Sequence, residues 1–110
     1  MNNVLTLVGR LVSNVETKED EKNTMIVLAV NRNYKSADGT YDTDFIDVEL
    51  WGNMVTYVGD YCYKGDIIGV RGRLETYYTE DEDGTRRKHH KVVAEKVTFL
   101  SSKQSSVRDE

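Results

Sequence analysis

Alternation between apolar and polar residues is the strongest constraint on this chain, and it is clearest in residues 44–52, DFIDVELWG. Successive side chains of a strand point to opposite faces of the sheet. One face of this strand therefore carries three aliphatic residues: Ile46, Val48 and Leu50. The other face carries two acids and two aromatic rings: Phe45, Asp47, Glu49 and Trp51.

Burial energies decide which of the two faces points to the core. Each buried aliphatic side chain contributes about 1.5–3 kcal/mol to stability. Each unpaired buried carboxylate costs several kcal/mol, and the stretch contains no cation that could pair with Asp47 or Glu49. The sequence therefore predicts that both acids stay in water and that a phenylalanine and a tryptophan share their exposed face.

The composition of the chain narrows the class of protein. A length of 110 residues is typical of one domain that can bury a core without metal or disulfides. Cys62 is the only cysteine, so we expect no intrachain disulfide and a cytoplasmic location. The chain has neither a long apolar stretch nor a signal-peptide pattern, so we expect no membrane partner. The net charge of −4 disfavours a nucleic-acid partner, but acids clustered in residues 16–22 and 79–84 leave room for a basic face.

Alternation recurs along the chain and predicts five strands. These are residues 3–12, 24–34, 44–52, 66–78 and 88–100. The first strand is apolar on both sides and is predicted to be covered on both faces, with a bend or bulge at Gly9. Asp-Gly pairs at residues 38–39 and 83–84 are typical of tight turns between strands.

One helix is predicted between the third and fourth strands. In residues 52–65, Val55, Val58 and Cys62 recur at helical spacing, Asn53 is a candidate N-cap, and Gly65 is a candidate C-terminal stop. Three strands, a helix and two strands are the expected order of an all-β OB-fold, a closed five-stranded Greek-key barrel. An open sheet of the same elements is the alternative.

Four aromatic residues are candidates for a binding surface: Tyr34, Phe45, Trp51 and Tyr77. Cations lie in the same strands: Arg32, Lys35, Arg71 and Arg73. Unpaired bases stack on aromatic rings for about 1–3 kcal/mol each while cations contact phosphates, so this mixture suits single-stranded nucleic acid. The rings could equally pack against a loop, a neighbouring subunit or each other, and periodicity alone leaves both interpretations open.

The basic run RRKHHK, residues 86–91, also has two interpretations. Arg86, Arg87 and Lys88 could form a phosphate clamp on a mobile hairpin, or they could pair with the acids of residues 80–83 for at most about 1 kcal/mol per exposed pair. The adjacent His89 and His90 point to opposite faces of a strand and cannot share a metal ion. No catalytic constellation is evident, so we expect no enzyme activity, metal or cofactor.

Five collinear blocks of the sequence resemble the bacterial single-stranded DNA-binding protein family. They are residues 2–11, 28–35, 43–52, 61–76 and 93–100. The resemblance covers residues 1–101 and implies an OB-fold that assembles as a homotetramer. It also implies non-catalytic binding of single-stranded DNA, with little sequence preference, in replication, recombination and repair.

The resemblance assigns roles to particular residues. The family's base-stacking rings correspond to Tyr34, Phe45 and Trp51, and Tyr77 is the ring of matching parity nearest to a fourth family aromatic at Thr79. The family's DNA-contacting cations correspond to Arg10, Arg32, Lys35, Arg73, Arg86, Arg87 and Lys88. A protein-interaction module, such as a primosomal accessory, and a single-stranded RNA binder are the alternative functions.

The chain departs from the family pattern at three places. Asp47 replaces an arginine found in some relatives, and we expect it to hold Arg71 or Arg73. Ile46 replaces a histidine that some relatives use between subunits. The sequence ends in a polar segment, residues 102–110, which we expect to be frayed, without the linker and acidic Pro-Phe tip through which the family recruits replication and repair proteins. This ending suits a short accessory, phage or mobile-element version, or a shortened chain.

Overall fold

A computed structural model describes residues 1–15 and 22–102. Its elements, in chain order, are β1 (Leu5–Leu11), β2 (Asn23–Lys35), β3 (Tyr41–Trp51), α1 (Asn53–Tyr61), β4 (Ile67–Glu80) and β5 (Arg86–Ser101). The strands close into a barrel in the order β1-β2-β3-β5-β4, so the predicted OB-fold is confirmed and the open-sheet alternative is wrong. Most of the acid cluster at residues 16–22 and most of the predicted tail lie outside the described residues.

The barrel interior is built from the aliphatic faces of the strands. The largest fully buried aliphatic side chains are Leu11, Leu28, Leu50, Ile68, Val48, Val70, Val92 and, on the helix, Val58. α1 turns its buried Val55 and Val58 towards this core, as predicted, and Cys62 is buried but lies directly after the helix rather than within it. Burial, followed by the charge of Asp66, raises the pKa of the Cys62 thiol. Among the described residues, no helix has the length and apolar character needed to cross a membrane.

Two glycines permit strands to approach closely where the barrel closes. Gly9 lies where β1 passes from its ladder with β4 to its ladder with β2, and a Cβ there would lie 2.7 Å from the Ala29 carbonyl oxygen. The β1–β4 register continues through Gly9 without a shift, so close approach rather than a bulge explains this glycine. A Cβ at Gly72 would lie only 2.1 Å from the Val93 oxygen, at a register shift between β4 and β5.

Both predicted ends of the helix are wrong. Asn53 is the first helical residue, Gly52 occupies the N-cap position, and no side chain caps the helix. The chain reverses sharply from β3 into α1, and the positive φ of 57° at Gly52 is a conformation that glycine adopts without strain. The helix ends at Tyr61 with extended Cys62 as its C-cap, so Gly65, with a φ of 92°, lies in the following turn.

Two strand predictions also change. β4 and β5 extend further than expected and leave only residues 81–85 as their turn, so Arg86, Arg87 and Lys88 lie within β5. Interstrand contacts explain the extension, since the Arg86 guanidinium lies 4.4 Å from the Tyr78 ring centroid. The expectation that the first strand is covered on both faces is wrong for the single chain, because Val4 and Val8 are exposed on the outer face.

Candidate functional site

The outer face of β3 exposes the two predicted rings and only one of the two predicted acids. Phe45 is 68% exposed and Trp51 is 47% exposed, and Asp47 between them is also exposed. Glu49 retains only 8% of its accessible surface, so the prediction that it stays in water is wrong. Ile46, Val48 and Leu50 point inwards as predicted, with Ile46 only partly buried.

The Glu49 carboxylate is buried because three side chains donate hydrogen bonds to it. Trp51 Nε1 donates to Oε1 over 2.7 Å. Lys91 Nζ and Asn23 Nδ2 donate to Oε2 over 3.2 and 3.3 Å. Burial opposes ionisation of Glu49, but these hydrogen bonds and the Lys91 charge outweigh it, and the pKa of Glu49 lies below its usual value.

Parallel pairing between β3 and β5 supplies the cation that the β3 sequence lacks. Val48 pairs with Val92 and Glu49 with Val93, which brings Lys91 to the same outer face as Glu49. The ion pair is well shielded, since the Lys91 and Glu49 side chains are 18% and 11% exposed. Charge-assisted hydrogen bonds of this kind are stronger than bonds between neutral groups, so the pair is a fixed element of the face.

The contacts of Lys91 continue onto the β4–β5 hairpin. Lys91 Nζ lies 5.2 Å from the Tyr77 ring centroid, and Tyr77 stacks on His89 with centroids 5.0 Å apart and ring planes at 22°. His89 Nε2 and Thr79 Oγ1 are 2.7 Å apart. We call these joined side chains the Glu49 network; its members are Asn23, Glu49, Trp51, Tyr77, Thr79, His89 and Lys91. The network connects two predicted stacking rings, Trp51 and Tyr77, and leaves Tyr77 less accessible than the rings of β2 and β3.

A cleft beside Phe45 opens onto the same surface. The β3–β5 ladder contains only two residue pairs, so the strands separate beyond it. The resulting cleft, of about 200 Å³, is lined by Phe45, Ile46, Asp47, Leu74, His90, Lys91 and Val92. Because Phe45 and Lys91 line one cleft, the Phe45 ring and the Glu49 network form a continuous surface.

Tyr34 and Arg32 lie in the outer part of the β2–β3 hairpin. The Tyr34 ring is 61% exposed. Arg32 donates two hydrogen bonds to Asp44, of 3.0 and 3.1 Å, and lies 3.8 Å from Asp42. The hydrogen bonds and charge of Asp44 raise the pKa of Arg32, and the same hydrogen bonds lower the pKa of Asp44.

The predicted phosphate-binding cations fall into a paired group and a less constrained group. Besides Arg32, Arg73 pairs with Glu75 and Glu95, and Arg87 pairs with Asp81, as the ion-pair interpretation of RRKHHK requires. Lys35 and Arg86 lie over the rings of Tyr41 and Tyr78, and Arg10 donates to the Gly65 carbonyl. The side chains of Arg71 and Lys88 make no hydrogen bond or ion pair within the described part of the chain.

The expected contact between Asp47 and an arginine does not form. Arg73 is held by Glu75 on its own strand and by Glu95 on β5, over N–O distances of 2.8 and 3.5 Å. Arg71 lies instead in a separate groove on the outer face of β1, β4 and β5, beside Val8 and Leu100. Asp47 therefore leaves an unpaired negative charge, as far as residues 1–15 and 22–102 extend, next to Phe45.

Sequence reasoning missed the roles of Glu49, Lys91, His89 and Asn23. Two of them could have been found by counting outwards from the Asp83-Gly84 turn, which pairs Tyr77 with His89 and Glu75 with Lys91. The contact between Glu49 and Lys91 had no such local signal. It depends on the β3–β5 register, which joins segments with a helix and a strand between them. Asn23 reaches Glu49 through the β2–β3 register, in which it pairs with Trp51.

Comparisons with known proteins agree on one family and one fold. The single-strand binding protein family matches residues 1–100. Single-stranded DNA-binding protein 1 of Clostridium acetobutylicum is 37% identical over 97% of this chain and 100% of that protein. The single-stranded DNA-binding protein of Clostridium tetani is 43% identical over 96% of this chain and 76% of its own length. Single-stranded DNA-binding protein B of Bacillus subtilis is 33% identical over 94% of both chains.

A solved structure extends the agreement to three dimensions. The Plasmodium falciparum SSB in complex with ssDNA superposes with a TM-score of 0.76, covering 92% of this chain and 97% of that one. Because the two sequences are only 18% identical, this similarity supports the barrel fold alone.

Proposed function

The chain belongs to the single-strand binding protein family, and from that premise we propose that it binds single-stranded DNA without catalysis. The observation that carries the proposal is the outer face of β3, where the Phe45 and Trp51 rings are exposed on one surface. Aromatic rings next to cations are what unpaired bases and their phosphates require. Duplex DNA offers such rings no free base faces.

Stacking supplies most of the affinity. Bases stack on Tyr34, Phe45 and Trp51, with Tyr77 as a partly covered fourth ring. At about 1–3 kcal/mol per base, four stacked bases give a gross free energy of about 4–12 kcal/mol before ordering costs. Stacking on a ring does not distinguish one base from another, so the binding has little sequence preference. This suits a protein that covers transient single strands in replication, recombination and repair in the cytoplasm.

Phosphate contacts contribute less than the number of basic residues suggests. Arg32, Arg73 and Arg87 already have carboxylate partners, which a phosphate must replace or share. Lys88 has no such partner among the described residues, and Arg10, Lys35 and Arg86 hold weaker contacts. Arg71 also has none, but it lines the separate groove beside β1. Each phosphate contact adds about 0.7 to the magnitude of the salt slope of single-strand binding, so we expect a slope well below that of eight full contacts.

A second copy of this chain is the proposed occupant of the exposed β1 face. Val8 is 53% exposed and lines a groove with Thr6, Gly69 and Leu100 on the outer face of three strands. If another copy covers this surface, β1 becomes buried on both faces, as its sequence predicts. Family resemblance makes a homotetramer the expected assembly, with four times the 12.6 kDa mass of one chain.

Titration with DNA under native mass measurement tests binding and assembly together. Trp51 is the only tryptophan, so its fluorescence reports this face directly. We expect strong quenching by oligo-dT, little quenching by duplex of equal length, and a tetramer mass. Absence of quenching and of binding by oligo-dT would contradict the proposal and favour a protein-interaction module. Stronger competition by oligo-U than by oligo-dT would identify RNA as the ligand.

A further inference from the structure

We propose that Glu49 is a positioning residue of the binding face: its carboxylate holds the Trp51 ring and the Lys91 ammonium in the orientation that receives single-stranded DNA. This inference rests on the proposed function and names the residue that organises its site. It addresses an apparent conflict, since an acid on a DNA-binding face should repel phosphate. The conflict is resolved by what the carboxylate contacts.

The first support is the contrast between two acids on one face of one strand. Asp47 is exposed and has no described partner, so its charge acts on approaching phosphates. Glu49, two residues along, is buried and accepts three hydrogen bonds. Lys91 neutralises its charge at 3.2 Å, so Glu49 contributes little repulsion and much local order.

The second support is that the two carboxylate oxygens of Glu49 accept hydrogen bonds from different side chains. Oε1 accepts from the indole N–H of Trp51, and Oε2 accepts from Lys91 on β5 and Asn23 on β2. Glu49 therefore connects three strands of the barrel through one rigid group. The indole is fixed at its polar edge, which leaves its apolar ring faces as the surface that can accept a base.

The third support is that the contacts of Lys91 extend to Tyr77. Lys91 Nζ lies over the Tyr77 ring, which in turn stacks on His89. A change at Glu49 should therefore disturb two rings of the face, Trp51 directly and Tyr77 through Lys91. Fixing side chains before the ligand arrives lowers the ordering cost of binding.

The test compares Glu49→Gln with Asp47→Asn, two variants that each remove one negative charge from the same face. Repulsion alone predicts that both bind oligo-dT more tightly. We expect Asp47→Asn to bind up to about fivefold more tightly, because an exposed charge is lost. We expect Glu49→Gln to bind roughly 3- to 10-fold more weakly, because an amide has one acceptor oxygen where the carboxylate has two. That oxygen turns to the Lys91 ammonium, so the NH2 group faces the Trp51 N–H and the indole loses its fixed orientation.

Trp51 fluorescence gives a readout that does not depend on DNA. Time-resolved anisotropy should show a wider angular motion of the indole in Glu49→Gln than in the wild-type protein or in Asp47→Asn. The double variant Glu49→Gln with Lys91→Gln keeps the net charge of the wild type and the approximate volume of both side chains. It should remain weakened, and its circular dichroism and urea midpoint report whether it folds.

Two results would overturn the inference. One is tighter binding by Glu49→Gln with a salt slope steeper by about 0.7, which would make Glu49 a counter-charge that masks Lys91 from phosphate. The other is an unchanged indole motion in folded Glu49→Gln. If the wild-type protein itself fails to bind oligo-dT, the proposed function fails instead, and the anisotropy measurement still decides whether Glu49 orders Trp51.

Discussion

The two ends of the β3 outer face present their rings in different ways. Phe45 is 68% exposed beside a cleft, and no ring or cation contact in residues 1–15 and 22–102 involves it. Trp51 is less exposed and its N–H is bonded to a buried carboxylate. Under the proposed function, the Phe45 end can adapt to the bound DNA, whereas the Trp51 end is ordered before the DNA arrives. Strand β3 thus combines an adaptable ring with a preorganised ring. Preorganisation lowers the entropic cost of binding only at the Trp51 end.

The largest expected effect is at the ordered end. Trp51→Ala removes a stacking ring of about 1–3 kcal/mol, so affinity for oligo-dT should fall by about 5- to 150-fold with little change in salt slope. Fluorescence anisotropy of a labelled oligonucleotide at several salt concentrations measures both quantities. Tyr63→Ala is the matched control, because Tyr63 is an exposed ring in the turn after α1. If Tyr63→Ala loses as much affinity as Trp51→Ala, the assignment of Trp51 to the binding site is wrong.

A smaller loss is expected at the adaptable end. Phe45→Ala should weaken oligo-dT binding within the same range but by less than Trp51→Ala, because part of the Phe45 stacking energy is used to order a free ring. The same titration, run in parallel, gives the ratio of the two losses. If Phe45→Ala proves the more damaging variant, the ordered end has no energetic advantage and the comparison of the two ends is wrong.

The same comparison between a free and a fixed side chain can be made with cations instead of aromatic rings. Lys88→Ala should lower the salt slope by about 0.7, because Lys88 has no carboxylate partner among the described residues. Arg73→Ala should lower it by less, since Glu75 and Glu95 already neutralise Arg73. The measurement is the dependence of log Kd for oligo-dT on log salt. Equal reductions would mean that intramolecular pairing does not limit phosphate contact.

The smallest expected effect is on the pH dependence of stability. It again distinguishes the Trp51 end of β3, which Glu49 orders, from the Phe45 end. The pKa of Glu49 is lowered in the folded chain, so its contribution to the free energy of unfolding is complete above the ordinary glutamate pKa of about 4.3. That contribution is lost as the pH falls through the lower, folded pKa. Urea unfolding at pH 7 and near pH 3 should therefore show a smaller acid-induced loss of stability in Glu49→Gln than in the wild type.

Phe45→Leu is the control for this measurement, because position 45 carries no ionisable group. Its loss of stability between the two pH values should match that of the wild type. The pKa of Asp44 and of Asp83 is also lowered, so only the difference between variants isolates Glu49. An acid-induced loss as large in Glu49→Gln as in the wild type would show that the Glu49 bonds do not stabilise the folded state.

The sequence predicts those parts of the structure that depend on local pattern. Alternation correctly separates Val48 and Leu50 from Phe45 and Trp51, and both Asp-Gly pairs lie at turns with a positive φ at glycine. These features follow from strand geometry and from the backbone freedom of glycine, which act over a few residues. Family resemblance and element order together predict the barrel.

The remaining features depend on segments that are distant in the chain. The local sequence predicts that Glu49 is exposed, because its partner Lys91 lies on the distant strand β5. Arg73, one of the two arginines expected beside Asp47, pairs with Glu75 and Glu95 instead. Gly72 shows no special pattern in sequence, yet no side chain larger than hydrogen fits against the Val93 carbonyl. Such contacts follow from the closure of the barrel, which no local pattern encodes.

The short parallel ladder between β3 and β5 also has a consequence for the order of folding. Glu49 and Lys91 are separated by 42 residues, and only two residue pairs hold their strands together. Hairpins β2–β3 and β4–β5 close shorter loops and can form first, whereas this junction needs both of them in place. We therefore expect the surroundings of Trp51 to be completed among the last steps of folding, so that its fluorescence emission would report the closing of the barrel.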